Sequence, residues 1–324
     1  MTILSKWLVI SLLCCLTSCD SSLEQQRVDV PAKAQQIKEQ PVKTKHLAKT
    51  QQQKSAIIPV NHNDYKPIYP WKNNSTNQQY SVASIPSPKG YQRTALSTQS
   101  RFSYWLRHLP IQPEGARVYF YNGKQKPYQK GAHSVVDIDV GKRDLQQCAD
   151  AVMRLKAEHH YSLKEYQSIH FNYTSGHKVS FEDWRKGKQP RVSGNSVNFS
   201  SPNGKTDNSY RNFKKYMNAV FSYAGTASLS KELKRVPITD MQIGDVFIQG
   251  GFPGHAVIVV DMSINSKTGE KVFLIAQSYM PAQSIHVLNN LKNIALSPWY
   301  PVRFDGDLHT PEWSFSQNNL KRFQ

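Results

Sequence analysis

A lone cysteine, a histidine at the mouth of an apolar strand and a glutamine inside the next strand are the residues here whose types could do chemistry together. His255 follows Gly254 and opens the β-branched run Ala256-Val257-Ile258-Val259-Val260. Gln277 is the polar residue that ends Phe273-Leu274-Ile275-Ala276, and Cys148 lies upstream in a helical stretch. A thiol becomes a nucleophile once a base takes its proton, an imidazole is such a base, and a side-chain amide can fix the ring's tautomer. A buried strand gives the imidazole a rigid platform, and a glycine before it lets other backbone approach closely. Either glutamine beside the thiol, Gln146 or Gln147, is a candidate donor to an oxyanion.

Each of these residues also has a plainer role. Cys148 shares a helical stripe with Leu145, Val152 and Leu155, as a buried unreactive cysteine would. A capping box of Asp144 and Gln147 predicts that the helix opens at Asp144. Cys148 then sits a turn inside, away from the first amides that favour a thiolate. Gln277 can equally be a structural hydrogen-bonder. Cys148 is thus a nucleophile or a core residue, and sequence alone leaves the choice open.

Other chemistries find little support. His159-His160, His170, His177 and His286 follow no metal-ligand spacing, and Cys148 has no cysteine partner, so neither a metal nor a cofactor is expected. The acidic residues Asp137, Asp139, Glu158 and Glu165 form no pair suited to glycoside hydrolysis. There is no glycine-rich phosphate loop.

The N-terminus carries a second chemical signal. Lys6, the apolar run Trp7 to Leu16 and the string Leu16-Thr17-Ser18-Cys19 make a basic region, a short hydrophobic core and a small-residue cleavage site. About ten apolar residues cannot span a bilayer core that needs roughly twenty, so residues 1–18 are expected to be a signal peptide. The Leu-Thr-Ser-Cys string resembles the lipobox of bacterial lipoproteins, which implies that Cys19 is acylated and becomes the mature N-terminus. Of the four cysteines in the 324-residue chain, Cys14 and Cys15 would leave with the peptide, and Cys148 would be the one free thiol. The expected partners are the membrane, through the lipid, and peptidoglycan or another anionic envelope polymer. The formal charge of +18 suits such acidic surfaces, and export makes nucleic acid an unsuitable partner. Asp20 after the lipidated cysteine resembles an inner-membrane retention signal, but other lineages read that position differently, so the membrane stays open.

These residues need elements to position them. Residues 19–93 read as a disordered basic linker, with eleven Lys and Arg against five Asp and Glu between Asp20 and Ala95 and too few apolar residues to offset ordering. Trp71, Tyr65, Tyr69 and Pro70 form a candidate docking patch near its end. Residues 94–324 read as one globular domain. Helices are expected over Thr98–Leu109, from Asp144, over Ser180–Lys186 and from Ser209 to Ala224, with Gly225 as a stop. Strands are expected over Arg117–Tyr121, Ser134–Val140, Ser168–Tyr173, Asp245–Gln249, Ala256–Met262, Val272–Ser278 and Ser284–Leu288. Residues 187–209 read as a long surface excursion. Helices first and short-turned strands afterwards predict an α+β fold with an antiparallel sheet and packed helices.

The order Cys on a helix, Gly244-Asp245 before one strand, Gly254-His255 opening the next and a polar residue on the strand after resembles the NlpC-type papain-like cell-wall peptidases and amidases. That resemblance, over roughly residues 140–290, implies an NlpC/papain-like fold with Cys148 as nucleophile, His255 as base and Gln277 as orienting residue. The string Gln147-Cys148-Ala149 departs from the usual Asp-Cys-Ser of those enzymes. Residues 94–304 taken whole resemble a family of uncharacterised bacterial envelope lipoproteins, carried by the strings Cys148-Ala149-Asp150-Ala151-Val152-Met153-Arg154-Leu155 and Ala276-Gln277-Ser278-Tyr279-Met280-Pro281. The function implied is a lipid-anchored thiol amidase or peptidase acting on peptidoglycan peptides in the cell envelope. The alternative is a non-catalytic envelope or cell-wall binding lipoprotein of the same fold. The missing Asp-Cys-Ser favours the second, and Gly-His with a lone exported thiol favours the first.

Overall fold

The computed structural model describes residues 65–72, 79–96, 100–202 and 204–324. The signal sequence, Cys19 and most of the expected linker lie outside the described residues. The fold is mixed α+β with antiparallel pairing throughout its sheets. Strands β1 (Tyr91–Arg93) and β2 (Ala132–Val135) precede two small hairpins, β3–β4 (His170–Asn172 and Lys178–Ser180) and β5–β6 (Pro190–Ser193 and Ser196–Phe199). Then come β7 (Lys234–Arg235), β8 (Val246–Gln249), β9 (His255–Asn265), β10 (Lys271–Gln277), β11 (His286–Leu288) and β12 (Tyr300–Pro301). The chain closes with a hairpin β13–β14 (Leu308–His309 and Ser314–Phe315) and β15 (Leu320–Arg322). The main sheet runs β2-β11-β10-β9-β8-β15-β7, with β1 added to β9 and β12 to β10.

β9 is the spine of this sheet because its β-branched run can be buried on both sides. Every residue from His255 to Ser263 is buried. α1 (Arg101–Arg107) and α2 (Cys148–Ser162) both pack against it. α3 (Phe181–Arg185) and α4 (Tyr210–Tyr223) contact each other, and α5 (Thr226–Glu232) rests on β3 and β8. Ser100, Ser180 and Ser209 each cap a helix by accepting an amide proton, from Ser103, Asp183 and Asn212 respectively, which stops each helix from fraying at its open amides.

A one-residue register shift interrupts the β9–β10 ladder. Leu274 pairs with Asp261 but Ile275 pairs with Val259, which leaves Val260 as the bulged residue. Beyond the bulge Ala276 pairs with Ile258, so the next step sets Gln277 opposite Val257, on the same face as His255. With the unshifted register Gln277 would face Ile258 and point to the other side of the sheet.

The expected linker does not extend to residue 93. Val82 and Ile85 are buried, β1 pairs with β9, and Arg93 bonds the fully buried Asp261. Further upstream the Tyr69 hydroxyl donates to the Trp105 carbonyl at 3.0 Å, and the Trp71 indole donates to that of Asp137 at 2.6 Å. The expected docking patch is thus spent on the chain's own domain. The reason is compositional: the aromatic residues at 65–71 bury enough apolar surface to offset ordering, although the residues around them are polar. Tyr65 sits against Tyr104, with Glu165 also nearby, just past the C-terminal end of α2.

Three other expectations change. Arg117–Tyr121 makes isolated bridges rather than a strand. Residues 187–209 contain the β5–β6 hairpin. Gly225 starts a helix, α5, instead of ending one, since Ala224 already caps α4.

Candidate active site

α2 begins at Cys148, not at Asp144. The Asp144 carboxylate is occupied elsewhere: it accepts from the backbone N–H of Ala282 at 2.7 Å and from the Gln147 side chain at 3.0 Å. Gln147 is the cap residue, and Asp150 in the first turn accepts its backbone N–H at 3.0 Å. The correction matters chemically, because the first residue of a helix has an amide with no partner inside the helix. The Cys148 sulfur faces its own amide, that of Ala149 and, across the gap, that of Ala256. Helix start and strand mouth thus meet at the thiol.

His255 pairs with Gln249 across β8–β9 at that mouth. Its Nε2 lies 2.8 Å from Oε1 of Gln277. The Gln277 NH2 donates to Oε2 of Glu312 at 2.8 Å, and Glu312 is held by Lys126 at 2.6 and 2.7 Å. A carboxylate can only accept, so Gln277 must turn its NH2 toward Glu312 and its carbonyl toward the imidazole. His255 therefore carries its proton on Nε2, and Nδ1 is the basic nitrogen. The ring is packed among Tyr279, Trp313 and Phe315, at centroid separations of 4.8, 5.4 and 5.8 Å. Hydrogen bonds and packing together leave it one orientation.

Burial sets the resting charges. It pushes the Cys148 thiol up to about 11, with the neighbouring Asp150 adding to the rise and the helix and Ala256 amides opposing it. Burial also drives His255 down to about 4, which the Gln277 bond partly offsets and the Lys126 charge deepens. At neutral pH the two groups rest as thiol and neutral imidazole, not as an ion pair. The Asp150 carboxyl is raised well above the usual range by burial, and its Oδ1 has no partner among the described residues.

The thiol is reached from a groove of about 300 Å³ lined by Asp144, Gln147, Cys148, Asp150, Thr226 and Gly254, with Phe252 and Met280 at its rim. A Cβ on Gly254 would fall 2.4 Å from the Thr226 hydroxyl and 2.6 Å from the Gly251 carbonyl. Only glycine lets those backbones meet. Cys148 is 7% exposed and His255 1%, so the groove touches the sulfur while the imidazole lies behind it.

Of the expected site residues, His255 and Gln277 are in direct contact, and Cys148 stands at the start of α2, where the amide of Ala256, the residue after His255, favours its thiolate. Gln146 does not join them. It is buried, its side-chain oxygen accepts a hydrogen bond from Arg154, and Arg154 is itself tied to Asp139 and Glu158. That cluster draws Gln146 into the core, which leaves Gln147 beside the thiol. Asp245, in the Gly-Asp turn, is a structural acid that accepts two bonds from Arg322 at 2.6 and 2.8 Å. Lys126, Asp150, Glu312, Trp313 and Phe315 are the neighbours of these residues that sequence reasoning missed. Asp150, three residues after the helix cap, was the one with a local signal. Glu312 lies in the β13–β14 hairpin, which no pattern near Gln277 announces.

No group of three His, Cys, Asp or Glu residues among the described residues is placed to hold a metal ion. No helix among them is long and apolar enough to cross a membrane. A family model described as "Domain of unknown function (4846)" matches residues 82–322. No curated protein and no solved structure matches the chain.

Proposed function

We propose, for a chain that belongs to the family of the domain of unknown function (4846), that it is a lipid-anchored thiol hydrolase with an NlpC/papain-like arrangement, cleaving amide bonds in peptidoglycan peptides. The observation that carries the reading is the chain Lys126–Glu312–Gln277–His255, which leaves one basic imidazole nitrogen beside the strand mouth where Cys148 opens a helix. A merely structural histidine needs no such three-residue relay behind it.

In this mechanism Cys148 Sγ attacks the amide carbonyl as its proton passes to His255 Nδ1. The tetrahedral oxyanion takes hydrogen bonds from the unpaired Cys148 amide and from Gln147. His255 then gives its proton to the leaving amine, the C–N bond breaks, and an acyl-thioester remains. Water attacks the thioester with His255 again as base, and the thiol returns with release of the acid. Because the resting pair is neutral, proton transfer accompanies attack rather than preceding it. Lipid on Cys19 holds the enzyme in the bacterial cell envelope, and the basic surface faces an anionic polymer.

A second reading, a non-catalytic envelope-binding lipoprotein of the same fold, is favoured by the 1% exposure of His255. Purified peptidoglycan fragments incubated with the full chain in detergent separate the two. Hydrolysis appears as new carboxyl and amine termini by mass spectrometry, and it should vanish in both Cys148→Ala and His255→Ala. Intact fragments with the wild-type chain, or equal cleavage by Cys148→Ala, would leave only the binding role.

A further inference from the structure

A second recess adjoins the thiol groove, and Phe252 belongs to both. Its volume is about 450 Å³, and its walls include Tyr173, Thr174, Ser175, Asn195 and Tyr223 besides Phe252. This size lies within the roughly 300–1,000 Å³ of small-ligand sites.

The lining is unusual for this molecule. The chain carries a formal charge of +18, yet no Lys, Arg, Asp, Glu or His lines this recess. What lines it is aromatic faces with hydroxyl and amide side chains. Phe252 is 86% exposed and Tyr223 45%, so two aromatic rings stand open at its rim. Behind them Tyr173 is 1% exposed, and its hydroxyl has no hydrogen-bond partner among the described residues. A buried hydroxyl without a partner is destabilising, and a ligand offering it a polar group would relieve that. Tyr173 and Tyr223 lie 5.0 Å apart between ring centroids, and the Tyr223 carbonyl accepts the Thr174 amide at 2.8 Å. The wall is therefore fixed before any ligand arrives.

Phosphates and carboxylates would find no cation here. A purely apolar ligand would leave the Tyr173 hydroxyl unpaired. A neutral, polyhydroxylated ring satisfies both demands, since its axial C–H face lies on aromatic carbon and its hydroxyl and acetamido groups meet Tyr173, Ser175 and Asn195. We infer that this recess is a sugar subsite, which seats an uncharged N-acetylated hexose of a glycan while the attached peptide crosses Phe252 to reach Cys148. The inference rests on the hydrolase reading for its peptide half and names the substrate class as a glycopeptide. The sugar half stands on the recess alone.

The test titrates tetra-N-acetylchitotetraose into the full chain in detergent and reads saturable heat. Wild type and Cys148→Ala should bind alike. Phe252→Ala, at an exposed position that leaves the core untouched, should weaken binding at least about tenfold, and Tyr223→Ala should do the same. Tyr173→Phe keeps the ring, so its weakening of about fivefold would report the hydroxyl. In parallel, a sugar-linked peptide should be cleaved with kcat/KM at least about tenfold above the free peptide, and Phe252→Ala should erase that preference. No saturable binding, or binding indifferent to Phe252 and Tyr223, overturns the subsite even if hydrolysis is intact. Binding with no hydrolysis by the wild-type chain supports the subsite and sinks the enzyme reading alone.

Discussion

The Gln277 carbonyl oxygen lies 2.8 Å from His255 Nε2, and it lies on that face of the sheet because Val260 is bulged out of the β9–β10 ladder. Gln277→Leu removes the acceptor that fixes the tautomer. Peptide hydrolysis should fall by about 10²-fold or more, within the 10²–10⁴ range of a lost general base. Glu312→Gln should fall less, because a neutral amide can still receive the Gln277 NH2. Release of cleaved peptide, with far-ultraviolet circular dichroism as a fold control, checks both. Full activity in Gln277→Leu would detach the glutamine from the chemistry.

The resting thiol should be sluggish. With Cys148 pushed up to about 11, iodoacetamide should label it slowly at pH 6 to 7 and faster as pH climbs, because only the thiolate reacts. Asp150 ranks second, after burial, among the causes of that rise. Asp150→Asn should therefore move the alkylation profile to lower pH while preserving the acceptor for the Gln147 amide. Rapid, flat labelling from pH 5 to 7 would mean a resting thiolate–imidazolium pair and would overturn the neutral one.

Acid should destabilise the domain. Burial holds both His255 and His286 down to about 4, below the ordinary 6.5 of an unfolded chain. Between those values the unfolded state binds more protons, so stability is fully present above about pH 6.5 and is lost as pH falls toward 4. Each histidine contributes on the order of 1–3 kcal/mol to that loss. Thermal midpoints measured across this window should slope downward with falling pH, and less steeply in His286→Gln. A profile flat through pH 6.5 to 4 would contradict the burial of these rings.

Asp261 is fully buried and held by two guanidiniums, Arg107 at 2.6 Å and Arg93 from β1. Replacing either arginine by Met leaves a buried carboxylate half-compensated. The cost should be about 2–4 kcal/mol, short of losing a sole partner because one cation remains. Urea unfolding of Arg93→Met is the sharper test. A neutral outcome would return residue 93 to a linker.

The fold was legible where pattern and physics coincide. The β-branched run after His255 gave β9, the apolar run up to Gln277 gave β10, and short turns between them gave antiparallel pairing. His255 and Gln277 could be matched from sequence because they lie near the ends of adjacent strands. What could not be read was non-local. The bulge at Val260 is decided by packing across the sheet, since four β-branched residues in a row carry no mark of which one is extruded. The helix start moved to Cys148 because Asp144 is claimed by Ala282, 138 residues away in sequence. Gln146 and Gln147 look alike in the chain, and only Arg154 on the next turns of α2 decides which of them faces inward. The aromatic residues at 65–71 were misread because a linker's average composition hid a short hydrophobic clasp.

α2 runs from Cys148 to Ser162, a length of about 20 Å at 1.5 Å per residue. Its first residue is the thiol, while the residues after its last lead to Glu165, near which Tyr65 packs on Tyr104. The aromatic clasp and the thiol opening therefore sit at opposite ends of one rigid rod, and loosening the clasp by substituting Tyr65 or Tyr104 would cost stability at the end remote from Cys148 without reshaping the opening.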